Sequence, residues 1–420
     1  MILIPIPYRL NFLTIISYYN DRTDFRAFDP DTSVLILEKQ NLETRVINFS
    51  IKEDVRYKIS DASWLSLGMT ASLIPSKVNF ISQEKNFFCA RTEFPRFVNF
   101  DKKYLYYTAY LQNSSKLTQK IHLRVGVRYD YSTLIKDGAP SPRFSIWYQI
   151  NDRTSIAGSW GIFYQYPDLL SIYTRDPPVD LSKNLDLINA EKSTHYLFSI
   201  KRTLPSNMVV KLGFYYKDLE RLLMPEDNEF YIPHNTGLGV SEGVEFELNK
   251  SSSGRERLSG FISYSFGSSK YCEINSNKWV PFKFDQRHRL TLLANIRLWG
   301  NWRASFLWQV ASGLPFTDII GIRSNPTYLN DWDFVRGPQN EAKLPYFHRL
   351  DARLNYQHWV GNRLFSFYLD FINLTNRSNI YDILWDKEYI EESKTILRVA
   401  KKRTIYMLPF FPSFGVSFKL

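Results

Sequence analysis

From Tyr346 to Gln357 the chain alternates with a period of two. Tyr346, His348, Leu350, Ala352, Leu354 and Tyr356 form one row; Arg349, Asp351, Arg353, Asn355 and Gln357 form the other. Side chains of a strand point to opposite faces in turn, so this segment is a β-strand with one apolar face and one charged face. The polar row carries three charges in five residues. A dry sandwich core does not tolerate that density of unpaired charge. A strand of about ten residues with an apolar outside and a polar inside is the unit of an outer-membrane β-barrel.

The same pattern recurs. Ile121, Leu123, Val125, Val127 and Tyr129 alternate with His122, Arg124, Gly126, Arg128 and Asp130. Leu290, Leu292, Ala294, Ile296 and Leu298 alternate with Arg289, Thr291, Leu293, Asn295 and Arg297. Further strands are predicted at Trp64–Ile74, Tyr104–Leu111, Arg143–Ile150, Thr154–Phe163, Thr194–Arg202, Asn207–Lys217, Val240–Lys250, Leu258–Gly267, Trp302–Ala311, Arg363–Asn373 and Ser413–Leu420. Residues 1–60 read poorly, with strand-like pieces at Tyr8–Tyr19, Ser33–Glu38 and Thr44–Ile59. The expectation is roughly 16 strands in one barrel unit spanning the chain. A break is expected after Ile74, in a loop holding Pro75 and Pro95. Long loops are expected at Tyr164–Ser193, Asp218–Gly239 and Ser312–Pro345 and after Asn373. Counted from the C-terminus, connections alternate long and short. Barrels in bacterial outer membranes sort their loops this way, with short turns inside and long loops outside.

Aromatic residues make up 16% of the chain, with 27 Tyr, 31 Phe and 10 Trp. That supply suits the interfacial girdles of a barrel. No apolar run is long enough for a transmembrane helix. The mean hydropathy of −0.30 does not argue against a membrane strand protein, because alternating strands average out. The net charge of +11 comes from scattered basic residues rather than one arm or helix, so nucleic acid is not an expected partner. A wet, cation-rich lumen accounts for it better. Cys89 and Cys272 stand far apart in sequence, outside any ligand cluster, and whether they pair is left open. The six histidines lack paired spacing, so neither metal nor cofactor is expected. No nucleophile motif stands out, and an enzyme is not expected. The start, Met-Ile-Leu-Ile-Pro-Ile-Pro-Tyr-Arg, lacks a basic region and a cleavage site, and reads as the start of a fragment rather than of a secreted precursor.

Several local patterns, in order, resemble the barrel of TonB-dependent outer-membrane receptors over residues 120–420. They are Ser-Pro-Arg-Phe-Ser-Ile-Trp-Tyr (141–148) with Ser-Trp-Gly-Ile-Phe-Tyr-Gln-Tyr-Pro (159–167), Asn-Ala-Glu-Lys-Ser-Thr-His-Tyr (189–196), Gly-Val-Glu-Phe-Glu-Leu (243–248), Phe-Asp-Gln-Arg-His-Arg-Leu (284–290), Ser-Gly-Leu-Pro-Phe-Thr (312–317) and Asp-Phe-Ile-Asn-Leu-Thr-Asn-Arg (370–377). Gly161 and Gly313 suit crowded rims, and Asn373 and Asn376 suit turns at ladder ends.

The resemblance implies an all-β, transmembrane antiparallel up-and-down barrel, here about 16 of about 22 strands. The family's plug domain and energy-coupling peptide are not recognisable, and the final residue is Leu420 where an aromatic is usual. It further implies import of a scarce ligand such as a ferric siderophore, cobalamin or a glycan. The expected partners are outer-membrane lipid, an extracellular small molecule, and a TonB-type energy-coupling protein where a plug precedes the barrel. The candidate lumen residues, from alternation alone, are Arg124, Arg128, Arg289, Arg297, Arg349, Asp351 and Arg353. One rival is a passive porin, which would conduct steadily without a gate. Another is a soluble many-stranded protein, which would need no detergent.

Overall fold

The computed structural model describes residues 2–5, 10–28, 36–86, 91–92, 96–167, 185–224, 234–252, 256–274, 276, 278–324, 332–392 and 395–419. Within them the chain is one antiparallel meander. Its long strands are β1 (Leu10–Phe28), β2 (Ile36–Ser60), β3 (Ser63–Asn86), β4 (Arg96–Lys116), β5 (Ile121–Ser132), β6 (Asp137–Asn151), β7 (Thr154–Gln165) and β8 (Glu191–Leu204). They continue as β9 (Met208–Met224), β10 (His234–Lys250), β11 (Leu258–Glu273), β12 (His288–Arg297), β13 (Trp302–Ala311), β14 (Phe347–Val360), β15 (Arg363–Ile372) and β16 (Phe411–Lys419). Each pairs with the next in sequence. Among the described residues β16 pairs with β15, and β1 pairs with β2 and with Ile2–Pro5.

Among the described residues the wall has no dry centre. Val125, Val127 and Tyr129 on β5 are 46%, 45% and 47% exposed, and Phe414 and Val416 on β16 are 77% and 70% exposed. Register carries these rows from strand to strand, because directly opposed residues share a face. Leu292 faces Trp308, which faces Leu350. Leu369 faces Leu354 on one side and Phe414 on the other. The result is an unbroken apolar face. Arg353, Ser305 and Asn295 align on the opposite, polar face. The buried apolar residues Leu134, Ile135, Leu185, Ile188 and Ala190 belong to the connections after β5 and β7 rather than to the wall. Apolar exposure on this scale is stable in hydrocarbon and not in water.

The turns at one end are short. Residues 61–62, 117–120, 152–153, 205–207, 298–301 and 361–362 join neighbouring strands there. The other end carries the connections 166–190, 274–287, 312–346 and 373–410, with a tight turn at 133–136.

The strands run further than the alternation marks. Pro75 does not end β3. It pairs with Lys103 of β4, while the β2 side skips Ile74 and Pro75 between its pairs Val46 with Ser76 and Phe49 with Leu73. Proline lacks the N–H that the skipped rung would use, and the strand tolerates it there. The region read as a loop from Asp218 continues β9 to Met224. A bulge shifts its register between Leu219 and Leu222, and Arg221 takes a φ of 57°. A bulge breaks period-two alternation, so the strand is masked in the sequence. Two of the long loops hold hairpins of their own: Ile319–Ser324 with Trp332–Arg336, and Ile380–Glu392 with Thr395–Tyr406. Cys272 is buried. Cys89, Tyr8, Pro95 and residues 33–35 lie outside the described residues.

Candidate functional site

The polar face is built by tyrosines laid over glycines. Tyr110 covers Gly68, Tyr215 covers Gly243, and Tyr368 covers Gly415, each pair being direct cross-strand partners. An aromatic ring folded flat over a facing glycine supports the strand without projecting far from the wall.

At the long-loop end of β5, Asp130 is 5% exposed and collects four donor groups. Tyr106 Oη and Thr108 Oγ1 each donate to Oδ1 at 2.8 Å. Arg128 donates through Nε at 2.8 Å to Oδ2 and through Nη2 at 2.7 Å to Oδ1. Such a carboxylate is fully satisfied, which is the condition for burying it. Tyr166, just past β7, donates to the Asp130 carbonyl at 2.8 Å and meets Tyr106 edge to face. Burial, reinforced by Asp137, raises the Tyr166 hydroxyl above the ordinary tyrosine range, so it stays a donor.

The residues of the sequence patterns do structural work at this same end. Asp285 is buried, takes the Ser269 N–H at 2.7 Å, and pairs with Arg287 Nε at 2.9 Å. Asn373 is fully buried at a φ of 52°. Its amide donates to the carbonyls of Arg377 and Leu408, and its Oδ1 accepts the Arg377 N–H. Asn379 brackets His348 with both halves of its amide. At Gly313 a Cβ would overlap the Leu344 carbonyl, so the close approach of two backbones requires glycine there.

The residues singled out from alternation fall in two separate sectors of the polar face. On β5, Arg124 lies 5.3 Å from the Trp147 ring and Arg128 is bound to Asp130. On β12 and β14, Arg349 makes a forked contact with Asp351, and Asp351 also accepts the Asn373 N–H. Arg353 reaches across to Asp370 and stacks over Tyr368. Arg289 lines a cavity of about 230 Å³ with Gln309, Leu314 and Phe347. Arg297 lies at the short-turn end of β12. Most of these cations are therefore engaged with a wall partner.

A third sector was not read from the sequence. Directly opposed residues run along one row: Arg56, Ser66, Gln112, Gly126, Arg143, Gly161, His195, Lys217, Ser241 and Ser269. Arg56, Arg128 and Arg143 line a cavity of about 250 Å³ above Gly126. The Arg143 guanidinium lies 4.5 Å from the Phe163 ring centroid, and His195 lies 4.4 Å from the same ring. Phe163, His195 and Lys217 then line a neighbouring cavity of about 560 Å³ with Phe282 and Phe284. In the sequence Arg143 and Gly161 stand out only as parts of local patterns. Their alignment with His195 depends on register, which turn lengths set.

A family model described as TonB dependent receptor-like, beta-barrel matches residues 8–374. Among solved structures, the siderophore receptor PiuA from Acinetobacter baumannii is similar with a TM-score of 0.67 at 11% identity, over 99% of this chain and 63% of that one. The outer membrane transporter YddB from Escherichia coli gives 0.62 at 13%, over 98% and 66%. The ferripyoverdine receptor of the outer membrane of Pseudomonas aeruginosa gives 0.62 at 13%, over 97% and 53%. The chain thus spans between half and two thirds of the length of these structures, and the likeness is one of fold. No curated protein matches by sequence.

Proposed function

Because the chain belongs to the TonB-dependent receptor β-barrel family, located in the bacterial outer membrane, we propose that it forms the wall and outer mouth of a receptor importing a scarce small molecule. The carrying observation is the two-faced wall. Exposed apolar rows meet lipid, and the charged face lines a water-filled lumen. Arg124, Arg128, Arg289, Arg297, Arg349, Asp351 and Arg353 belong to that lumen wall.

The long-loop end faces outside and the short turns face the periplasm. Import through a barrel lumen needs no covalent step, and the wall's residues act by binding and steering. The partners are lipid, an extracellular ligand and, where a plug domain completes the lumen, a TonB-type energy-coupling protein. Solved structures of similar fold include a ferric citrate transporter, a copper transporter and siderophore receptors, which favours a metal complex as cargo.

The test is uptake of radiolabelled ferric complexes by cells that carry this protein and lack other receptors of its kind. Uptake that stops when the membrane energy supply is collapsed supports the proposal. Energy-independent entry of unrelated small solutes, with steady conductance in planar bilayers, would replace it with a passive porin.

A further inference from the structure

One charged patch lies on the apolar face rather than in the lumen. Phe214, Val244 and Phe266 oppose one another across β9, β10 and β11, and Tyr216, Glu242 and Ser268 form the next rung toward the long loops. Phe266 also opposes His288, just as Ile262 opposes Leu292, so both rungs share the apolar face of Leu292. Phe214, Tyr216 and Phe266 are exposed there. Tyr196 stands 6.2 Å from Tyr216, and Phe198 stands 6.2 Å from Phe214. A belt of aromatic rings on a lipid-facing wall marks headgroup level. Glu242 and Lys270 stand at that level.

The two charges do not cancel each other. Lys270 opposes Val240, so it lies diagonal to Glu242 at a spacing of about 7 Å. Among the described residues Glu242 makes no ion pair, and Lys270 meets the Trp279 ring at 5.2 Å. Trp279 precedes the short strand Val280–Pro281, which pairs with β11 on the side away from Glu242. The ring therefore draws the ammonium group away from the carboxylate. A carboxylate on a membrane-facing wall is costly unless a partner answers it. Beside both charges lies a groove of about 540 Å³, lined by the two rungs, Lys270 and Arg287. Arg287 is already held by Asp285. The groove thus presents one cation and one anion above an apolar floor.

We infer that this groove holds one membrane lipid whose headgroup carries a phosphate and, beside it, a primary ammonium. The phosphate oxygens meet Lys270 and the Ser268 hydroxyl, and the ammonium donates to Glu242. An acyl chain lies along Phe214, Val244 and Phe266. Each polar contact is charge-assisted, the stronger class of hydrogen bond. The groove is one cavity on three adjacent strands, so a single headgroup reaches both charges. The occupant is a lipid rather than a soluble phosphate compound, because the groove opens on the face that meets hydrocarbon and its floor is apolar. The inference rests on that face assignment. It concerns what the outside of the wall holds and is separate from the cargo of the lumen.

The experiment is native mass spectrometry of the full chain released from micelles doped with equal amounts of phosphatidylethanolamine, phosphatidylcholine and diacylglycerol of matched acyl chains. Far-ultraviolet circular dichroism checks the β-structure of every variant. One phosphatidylethanolamine should stay bound, by about fivefold or more over phosphatidylcholine, whose quaternary ammonium has no N–H for Glu242. Diacylglycerol should be lost. Lys270→Gln should cut the retained phosphatidylethanolamine by about fivefold or more. Glu242→Gln should bring phosphatidylethanolamine and phosphatidylcholine to within about twofold of each other. Arg202 opposes Val210 on the same face at the short-turn end, and Arg202→Gln should change retention by less than about twofold. Equal retention of phosphatidylethanolamine and phosphatidylcholine by the unaltered chain, retention of diacylglycerol to the same extent, or normal retention by Lys270→Gln would overturn the site. So would displacement of the lipid by inorganic phosphate, which would make a soluble anion the occupant. Import is scored separately: a chain that selects phosphatidylethanolamine yet supports no uptake keeps the site and loses the import role.

Discussion

A single side chain shows which face of the wall it occupies by what its replacement costs. Leu292 lies on the apolar face between Tyr-, Trp- and Leu-bearing strands, opposite Trp308. An arginine there would sit in hydrocarbon near the middle of the strand, at a cost of about 2–4 kcal/mol. Arg297 lies on the polar face at the short-turn end, where leucine loses little. Leu292→Arg should therefore lower the urea midpoint in liposomes far more than Arg297→Leu, and equal midpoints would refute the face assignment. Asn373 makes the second prediction. Its buried amide makes three hydrogen bonds at a positive φ that asparagine tolerates better than most residues. Asn373→Ala should cost about 2–4 kcal/mol by the same measurement, because the Arg377 and Leu408 carbonyls lose their donor.

Between strands the recurring device is tyrosine over glycine, and it carries its own prediction. The three atoms nearest to a Cβ at Gly415 all belong to the Tyr368 side chain. Gly415→Ala should destabilise the β15–β16 pair by about 1–3 kcal/mol, the usual cost of overpacking. In a Tyr368→Ala background most of that cost should vanish, since the obstructing ring is gone; a cost unchanged between the two backgrounds would show that the strand backbone itself resists the methyl group. At this same level the sequence was legible where alternation ran uninterrupted. β5, β12, β13 and β14 were marked to within a few residues of their ends. It was misleading where local chemistry hid the period. Pro75 looked like a terminator because a missing N–H is visible in sequence and the identity of the neighbouring rung is not. The bulge around Arg221 moved Leu222 out of phase, and the end of β9 read as loop. The hairpins Ile319–Ser324 with Trp332–Arg336 and Ile380–Glu392 with Thr395–Tyr406 lay inside segments judged only by length and proline content. The cations of the lumen row were visible as residues; their alignment was not, because it is a product of several successive registers.

For the whole molecule, the decisive property is that solvent changes from one side chain to the next. The up-and-down meander sorts its connections by end, and its apolar rows are exposed rather than packed together. The outer mouth and the import role both depend on the apolar face meeting lipid while the polar face meets water. Nitroxide labels placed singly at residues 289 to 296 of β12 in liposomes, with Cys89 and Cys272 replaced by serine, read this directly. Labels at 290, 292, 294 and 296 should collide with membrane-dissolved oxygen, and labels at 289, 291, 293 and 295 with a water-soluble nickel chelate, in strict alternation. Uniform accessibility along the strand, or oxygen contact on the Arg289 side, would contradict the account.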